Sequence, residues 1–266
     1  MMNNKKSNVK YIVFFVVLAV MIGIALAAIT NIAPESPPND SWATTTTPTF
    51  NFTVNSDTNQ TGINCTLYIN GTANANKADC INGSNSIVAG ALAQGSHTWY
   101  VNCTDDGLTF NTTASQTIKI DSVAPTVVVS LNDSSLLVGQ TALVNFSFSE
   151  APSDFVVGDV SSPNGSLSGF AVDVGNASFY TAVFTPADDK EDPTSVITVA
   201  TSWTDAAGNA PIGTTDSANY AIDTKEPTVV VALNDSSLLV GQTALVNFSF
   251  SEAPSDFVVG DVSSPN

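Results

Sequence analysis

The chain has 266 residues, 7 Lys+Arg against 24 Asp+Glu, a formal net charge of −17 and only 12% charged residues. Nucleic acid is excluded as a partner, because binding it depends on cationic side chains that release counterions from phosphate. Acidic balance with a surface of Thr, Ser, Asn and Gly points instead to an exported β-rich protein and to divalent cations as counterions.

Lys5, Lys6 and Lys10 precede an uncharged run from Tyr11 to Ile29. The basic flank keeps the N-terminus cytoplasmic and sends the remainder across the membrane. The run is long enough for a short membrane-spanning helix, yet Ala25-Leu26-Ala27 also fits a signal-peptidase site. Residues 1–29 are therefore either a signal peptide or an N-terminal membrane anchor. Residues 30–48 hold Pro34, Pro37, Pro38, Pro48 and the Thr44–Thr47 run, and read as a semi-rigid linker.

From residue 49 the pattern changes to period two, as in strands whose side chains alternate between core and solvent. Phe50, Phe52 and Val54 alternate with Asn51 and Thr53. Val144, Phe146 and Phe148 alternate with Asn145, Ser147 and Ser149. Further strands are expected at Thr126–Ser130, Ser168–Val174, Ser178–Thr185, Ser195–Ser202 and Ser217–Ile222, separated by Gly, Pro, Asn and Asp clusters. About seven short strands in a unit of about 100 residues define a β-sandwich. The expected fold is all-β: tandem immunoglobulin-like sandwich domains after an N-terminal hydrophobic helix.

A repeat sets the domain count. Leu131–Asn164 recurs unchanged as Leu233–Asn266, and Pro125–Val129 recurs as Pro227–Val231, an offset of 227 − 125 = 102 residues. That length is one small domain and not a solenoid unit. The expected division is residues 49–121 for the first domain, 122–223 for the second and 224–266 for a truncated copy of the second.

Residues 125–223 resemble a bacterial immunoglobulin-like (Big-type) repeat of large surface proteins. The resemblance rests on "APTVVVS", "VGQTALVNFSFSEAPSDFVVGDV", "FYTAVFTP", "TDAAGN" and "YAID". Residues 49–121 are similar, more loosely, to another immunoglobulin-like module of exported proteins, through "NCTLYING" and "WYVNCTD". The resemblance implies sandwich domains strung as stalks in adhesins and surface-layer proteins, and by itself implies no activity.

All three cysteines lie in the first domain. Cys65 shares a strand face with Leu67 and Ile69, and Cys103 shares one with Trp99 and Val101. Two inward cysteines on separate core strands of an exported domain predict a Cys65–Cys103 disulfide. Cys80 is left free or pairs between chains. Fourteen of the twenty-five Asn begin N-x-[ST] triplets, against about six expected by chance. Strand parity turns several of these Asn outward, so N-glycosylation is expected at Asn51, Asn64, Asn102, Asn145 and Asn247; a plain polar face of Asn, Thr and Ser is the alternative.

In an immunoglobulin-like topology the B–C and F–G loops lie at the end where the chain enters. Asp121, with Glu150 and Asp154 of one loop and Asp205 and Asn209 of the other, would offer hard oxygen ligands there. Asp188, Asp189, Glu191, Asp192 and Asp223 would lie at the exit end, near Glu252 and Asp256. Such oxygens suit Ca²⁺, which takes six to eight, so calcium at the domain junctions is the one cofactor expected. Acidic loops that are merely solvated are the competing reading.

The chain has one His and lacks a G-x-S-x-G elbow, a phosphate loop and an H-E-x-x-H pair, so no catalytic residue is assigned and the chain is not read as an enzyme. Trp42, Trp99 and Trp203 are candidates for sugar stacking, with Trp99 and Trp203 better placed as core. The expected function is a non-catalytic extracellular stalk of a surface adhesin. Its partner would be an unidentified surface protein or glycan, and the membrane if the hydrophobic run is retained. The second reading is an accessory spacer of an exported hydrolase whose catalytic domain follows the last copy.

Overall fold

The computed structural model describes residues 28–57, 62–105 and 109–264. The hydrophobic run and its expected helix lie outside these residues, apart from its last two positions. Among the described residues no helix is long and apolar enough to cross a membrane. The chain divides into two compact units, Met1–Ala124 with Ala206–Asn209, and Pro125–Asp205 with Ala210–Asn266.

In the first unit the strands are β1 (Ile29–Ser36), β2 (Ser41–Ala43), β3 (Thr49–Ser56), β4 (Ile63–Ile69), β5 (Thr72–Cys80), β6 (Gly83–Val88), β7 (Gly95–Asp105), β8 (Thr109–Thr112) and β9 (Gln116–Ile120). One sheet has the order β1-β3-β6; the other has the order β2-β9-β7-β4-β5, with β8 also on β7. Phe50, Phe52 and Val54 of β3 are fully buried, as are Ile63, Cys65 and Leu67 of β4 and Trp99, Val101 and Cys103 of β7. The period-two pattern therefore places one face of each sheet against the other.

The stretch at residues 30–48, expected as a linker, folds into these sheets. Ile29 and Ile32 are buried, β1 pairs antiparallel with β3, and β2 pairs parallel with β9. Pro34 sits in β1, which is an edge strand and so tolerates a residue that cannot donate to the ladder. The hydrophobic N-terminal segment correspondingly stops short of Ile29, which belongs to β1.

In the second unit the strands are β10 (Val127–Leu131), β11 (Ser135–Leu137), β12 (Ala142–Phe148), β13 (Val160–Ser161), β14 (Gly165–Asp173), β15 (Asn176–Pro186), β16 (Glu191–Ser195), β17 (Thr198–Val199), β18 (Thr215–Asp216) and β19 (Tyr220–Asp223). The sheets are β10-β12-β15-β14, β11-β19-β16 and β13-β17-β18. The strand expected over Ser195–Ser202 is two pieces in different sheets, β16 ending at Ser195 and β17 at Thr198–Val199. Ile197 is buried between them, and its N–H donates to Ser217 Oγ at 3.0 Å instead of to a ladder.

Phe146, Phe148, Phe155, Tyr180 and Trp203 form a network of edge-to-face rings, with Phe148 and Trp203 centroids 4.9 Å apart. The Trp203 indole N–H donates to Ala200 O at 3.0 Å, so this large ring is buried without stranding its polar end.

The second copy of the repeat forms β20 (Val229–Leu233) and β21 (Val246–Phe250), which pair only with each other among the described residues. Their register repeats that of β10 and β12: Val231 faces Phe248 as Val129 faces Phe146. Phe257 packs on Phe248 and Phe250, as Phe155 packs on Phe146 and Phe148. Identical sequence gives identical local structure, and the burial differs: Val129 is 5% exposed and its counterpart Val231 53%.

Candidate functional site

β4 and β7 are neighbours in the middle of the larger sheet of the first unit. Their antiparallel register puts Cys65 directly opposite Cys103, with a Cα–Cα distance of 4.0 Å, and the two are joined in a disulfide. The bridge thus ties adjacent strands of one sheet. Cys80, the free cysteine, is fully buried at the end of β5, opposite Ile63. Burial pushes its thiol up from the ordinary value. A thiol so placed is not presented for pairing with a second chain, which corrects that alternative.

The outward residues around the bridge are Asn64, Thr66 and Tyr68 on β4 and Tyr100, Asn102 and Thr104 on β7. Tyr68 and Tyr100 stack at 4.9 Å with nearly parallel planes. Asn64 is exposed, and its Oδ1 accepts from Asn76 Nδ2 at 2.7 Å. Asn102 is half-buried, and its Oδ1 is shielded from solvent without a hydrogen-bond partner among the described residues. Asn51 is half-buried on β3, where its Nδ2 donates to Ser36 Oγ at 2.7 Å. Asn145 is half-buried in the central strand β12, and Asn247 is exposed on β21.

Outward parity alone therefore overstates exposure. A middle strand has neighbours on both edges, whose side chains crowd an outward Asn.

A shallow polar cleft of about 280 Å³ on the first unit is lined by Glu35, Asn51, Lys77, Ser84, Asn85 and Ser86. Glu35 accepts from the hydroxyls of Thr53 and Ser84. All six of these lining residues are polar or charged, so the cleft lacks the apolar and aromatic side chains that line most small-molecule sites. His97 is held by structure on both ring nitrogens: Asn70 Nδ2 is 3.0 Å from Nδ1 and Ala93 O is 2.9 Å from Nε2. Trp99 and Trp203 are fully buried, whereas Trp42 is 44% exposed on the edge strand β2, with Lys119 Nζ 5.4 Å from its ring centroid.

The oxygen ligands expected for calcium divide between the units. Asp121 and Asn209 belong to the first, where Asn209 Nδ2 donates to Asp121 O at 3.0 Å. In the second unit the fold brings Glu150 and Asp205 together, one carboxylate oxygen of each within 4.8 Å of the other. Asp205 is 1% exposed. Asp154 is committed to structure, accepting from the Thr204 N–H at 2.7 Å. Asp223 lies at the end of β19, in register with Leu137 and Glu191. Glu191 in turn pairs with Lys225 at 3.5 Å.

Two acids serve the fold in ways the sequence did not reveal: Asp159, which it did not single out, and Asp192, expected only as an oxygen ligand at the exit end. Asp159 in "VVGDV" is buried; it accepts from the Val156 N–H at 2.9 Å and from the Ser202 hydroxyl. Asp192 accepts from the Thr194 N–H at 2.9 Å, the Ser195 hydroxyl at 2.9 Å and Asn164 Nδ2 at 2.8 Å. The available signal was "DPTS", an acid followed two and three residues later by hydroxyls.

The Thr194 N–H first, then the Ser195 hydroxyl, hold the Asp192 carboxyl below the usual carboxylate range. Burial, and then the Asp192 charge, push Tyr220 up to about 12. Signs follow by linkage. A lowered acid contributes stability above its unfolded value of about 4 and loses it as pH falls through the folded value. A raised phenol contributes below its unfolded value of about 10 and loses that stability as pH rises toward the folded value.

Urea unfolding of Asp192→Asn should thus show a shallower loss of stability between pH 5 and 2 than the parent. Tyr220→Phe should remove part of the alkaline loss. It should cost little at neutral pH, because the Tyr220 hydroxyl has no hydrogen-bond partner among the described residues. An acid limb unchanged by Asp192→Asn would contradict the assignment.

Sandwiches of this build, with strands that alternate between a buried and an outward face, define an immunoglobulin-like all-β class. Residues 121–222 and again 223–266 match the bacterial Ig-like domain family, more than half of the chain, and the chain belongs to that family. No curated protein matches the chain. Among solved structures, the fibronectin(III)-like modules of CbhA from Clostridium thermocellum are 14% identical, with 73% of this chain and 94% of that chain covered and a TM-score of 0.31. FdeC, an Escherichia coli adhesin, is 15% identical, with 85% and 73% covered and a TM-score of 0.32. The D0-D1 domain of intimin is 8% identical, with 74% and 99% covered and a TM-score of 0.26.

Proposed function

We propose that the chain is an exported, non-catalytic stalk of a cell-surface adhesin, in which immunoglobulin-like domains space a binding tip from the membrane. The observation that carries this reading is the repeat at an offset of 102 residues, in which 227–266 reproduces 125–164 with one change, since length is what repetition supplies. Family membership and the Lys-flanked hydrophobic run before the first strand support it. The test is labelling of intact producing cells with an amine reagent that does not cross membranes. Lys77, Lys119, Lys190 and Lys225 should be modified before lysis; modification only after lysis would contradict export to the surface.

Two features complete the reading. Calcium binds through the Glu150 and Asp205 carboxylates, relieving the repulsion between them. The expected result is a higher Tm for the chain in millimolar calcium than in chelator, with Glu150→Gln abolishing the difference. Equal melting temperatures would remove calcium from the account. N-linked glycans occupy some of the fourteen N-x-[ST] triplets, adding polar bulk to a surface poor in charge.

A further inference from the structure

Two N-x-T triplets and the disulfide coincide at one place in the first unit. Asn64-Cys65-Thr66 lies on β4 and Asn102-Cys103-Thr104 on β7, antiparallel and in register. Asn64 faces Thr104, Thr66 faces Asn102, and the middle residues of both triplets are the bridged cysteines. Neither strand has a free edge along its whole length: β4 lies between β5 and β7, and β7 carries β9 and β8 on its far side. The side-chain oxygens of both Asn are tied up or shielded as well: Asn64 Oδ1 accepts from Asn76 Nδ2, and Asn102 Oδ1 is screened from solvent.

Glycan transfer needs the Asn amide and the hydroxyl two residues on to be gathered at one catalytic site. The segment must therefore be free of sheet pairing and able to bend. A strand tied on both edges by ladder bonds, and pinned to its neighbour through the residue between Asn and Thr, cannot do this.

We propose that closure of the Cys65–Cys103 bridge ends the period in which Asn64 and Asn102 accept glycan, so that oxidation and glycosylation compete for the same two segments. This rests on the reading that the exported chain is N-glycosylated. In the first reaction the Asn Nδ2 forms a bond to C1 of a sugar. The C1–O bond to a polyprenyl-linked phosphate donor breaks, and the amide gives up one proton. In the second, two thiols give up two protons and two electrons to a disulfide-bearing carrier, which leaves as a dithiol. The first triplet waits longest for its partner, since 38 residues separate the cysteines. Asn64 is therefore modified more often than Asn102.

The test is site occupancy by glycopeptide mass spectrometry, using the full chain exported by a host that both glycosylates and oxidises. Asn176, exposed at the start of β15, reports on glycosylation outside the first unit. Asn51, on β3, reports on folding of the first unit. The parent should show low occupancy at Asn102 and intermediate occupancy at Asn64. Cys65→Ser/Cys103→Ser should raise both at least threefold and leave Asn51 and Asn176 unchanged. A reductant added during export of the parent chain should produce the same rise without any substitution.

Equal occupancy of Asn64 and Asn102 in bridged and unbridged chains, with Asn176 occupied, would overturn the competition alone. A rise shared equally by Asn51 would do the same, since it would trace to lost folding. A blank at every site, Asn176 included, would overturn the glycosylation reading and this proposal with it.

Discussion

Trp203→Ala lowers the stability of the second unit by about 3–5 kcal/mol, the range for removing a fully buried large aromatic. Trp203 is 0% exposed and its ring lies edge-on to Phe148 at 4.9 Å and to Phe155 at 6.1 Å. Truncation leaves a cavity where several rigid strands and rings meet, so the surroundings collapse only in part. It also frees Ala200 O from its indole donor. Urea unfolding followed by Tyr and far-ultraviolet signals measures the loss. Trp203→Phe should recover part of it, because the ring contacts return without the indole N–H. A loss below about 1 kcal/mol would mean that the ring network is not the core of this unit.

The Cys65→Ser/Cys103→Ser chain loses about 2–4 kcal/mol in the first unit. The bridge closes a loop with a sequence separation of 38, for which unfolded-chain entropy gives about 4 kcal/mol as the upper figure. Two buried hydroxyls in place of sulfur add a desolvation cost, so Cys→Ala at both positions separates the two effects. Cys80 stays buried and is not expected to rescue the bridge. Equal denaturant midpoints for bridged and unbridged chains would contradict a stabilising role.

Much of the fold was legible because period two is a strong signal where one sheet face is buried. Phe50 and Phe52, Phe146 and Phe148, and Trp99 with Cys103 point inward as their alternation requires. The same rule failed where strands bulge. β1 shifts register between Ile29 and Asn31 and again between Pro34 and Ser36, which breaks alternation just where prolines suggested a linker. Cys80 was obscured in the same way, since β4 and β5 shift register between Ile63 and Cys65.

The candidate sites were legible only in part, for a different reason. Glu150 and Asp205 are 55 residues apart in sequence, and sandwich closure alone brings them within 4.8 Å. The alignment of the two N-C-T triplets depends on a register that no local pattern specifies.

The central claim is that the folded chain is a string of separate sandwich domains that supplies length. Small-angle scattering of the chain without its hydrophobic N-terminal run tests it most directly. The proposed stalk, built from domains with strands of up to 11 residues at ~3.3 Å per residue, predicts a maximum dimension of at least ~70 Å and a radius of gyration above ~22 Å. A radius of gyration of about 18 Å, the value for one compact body of this length, would contradict the stalk.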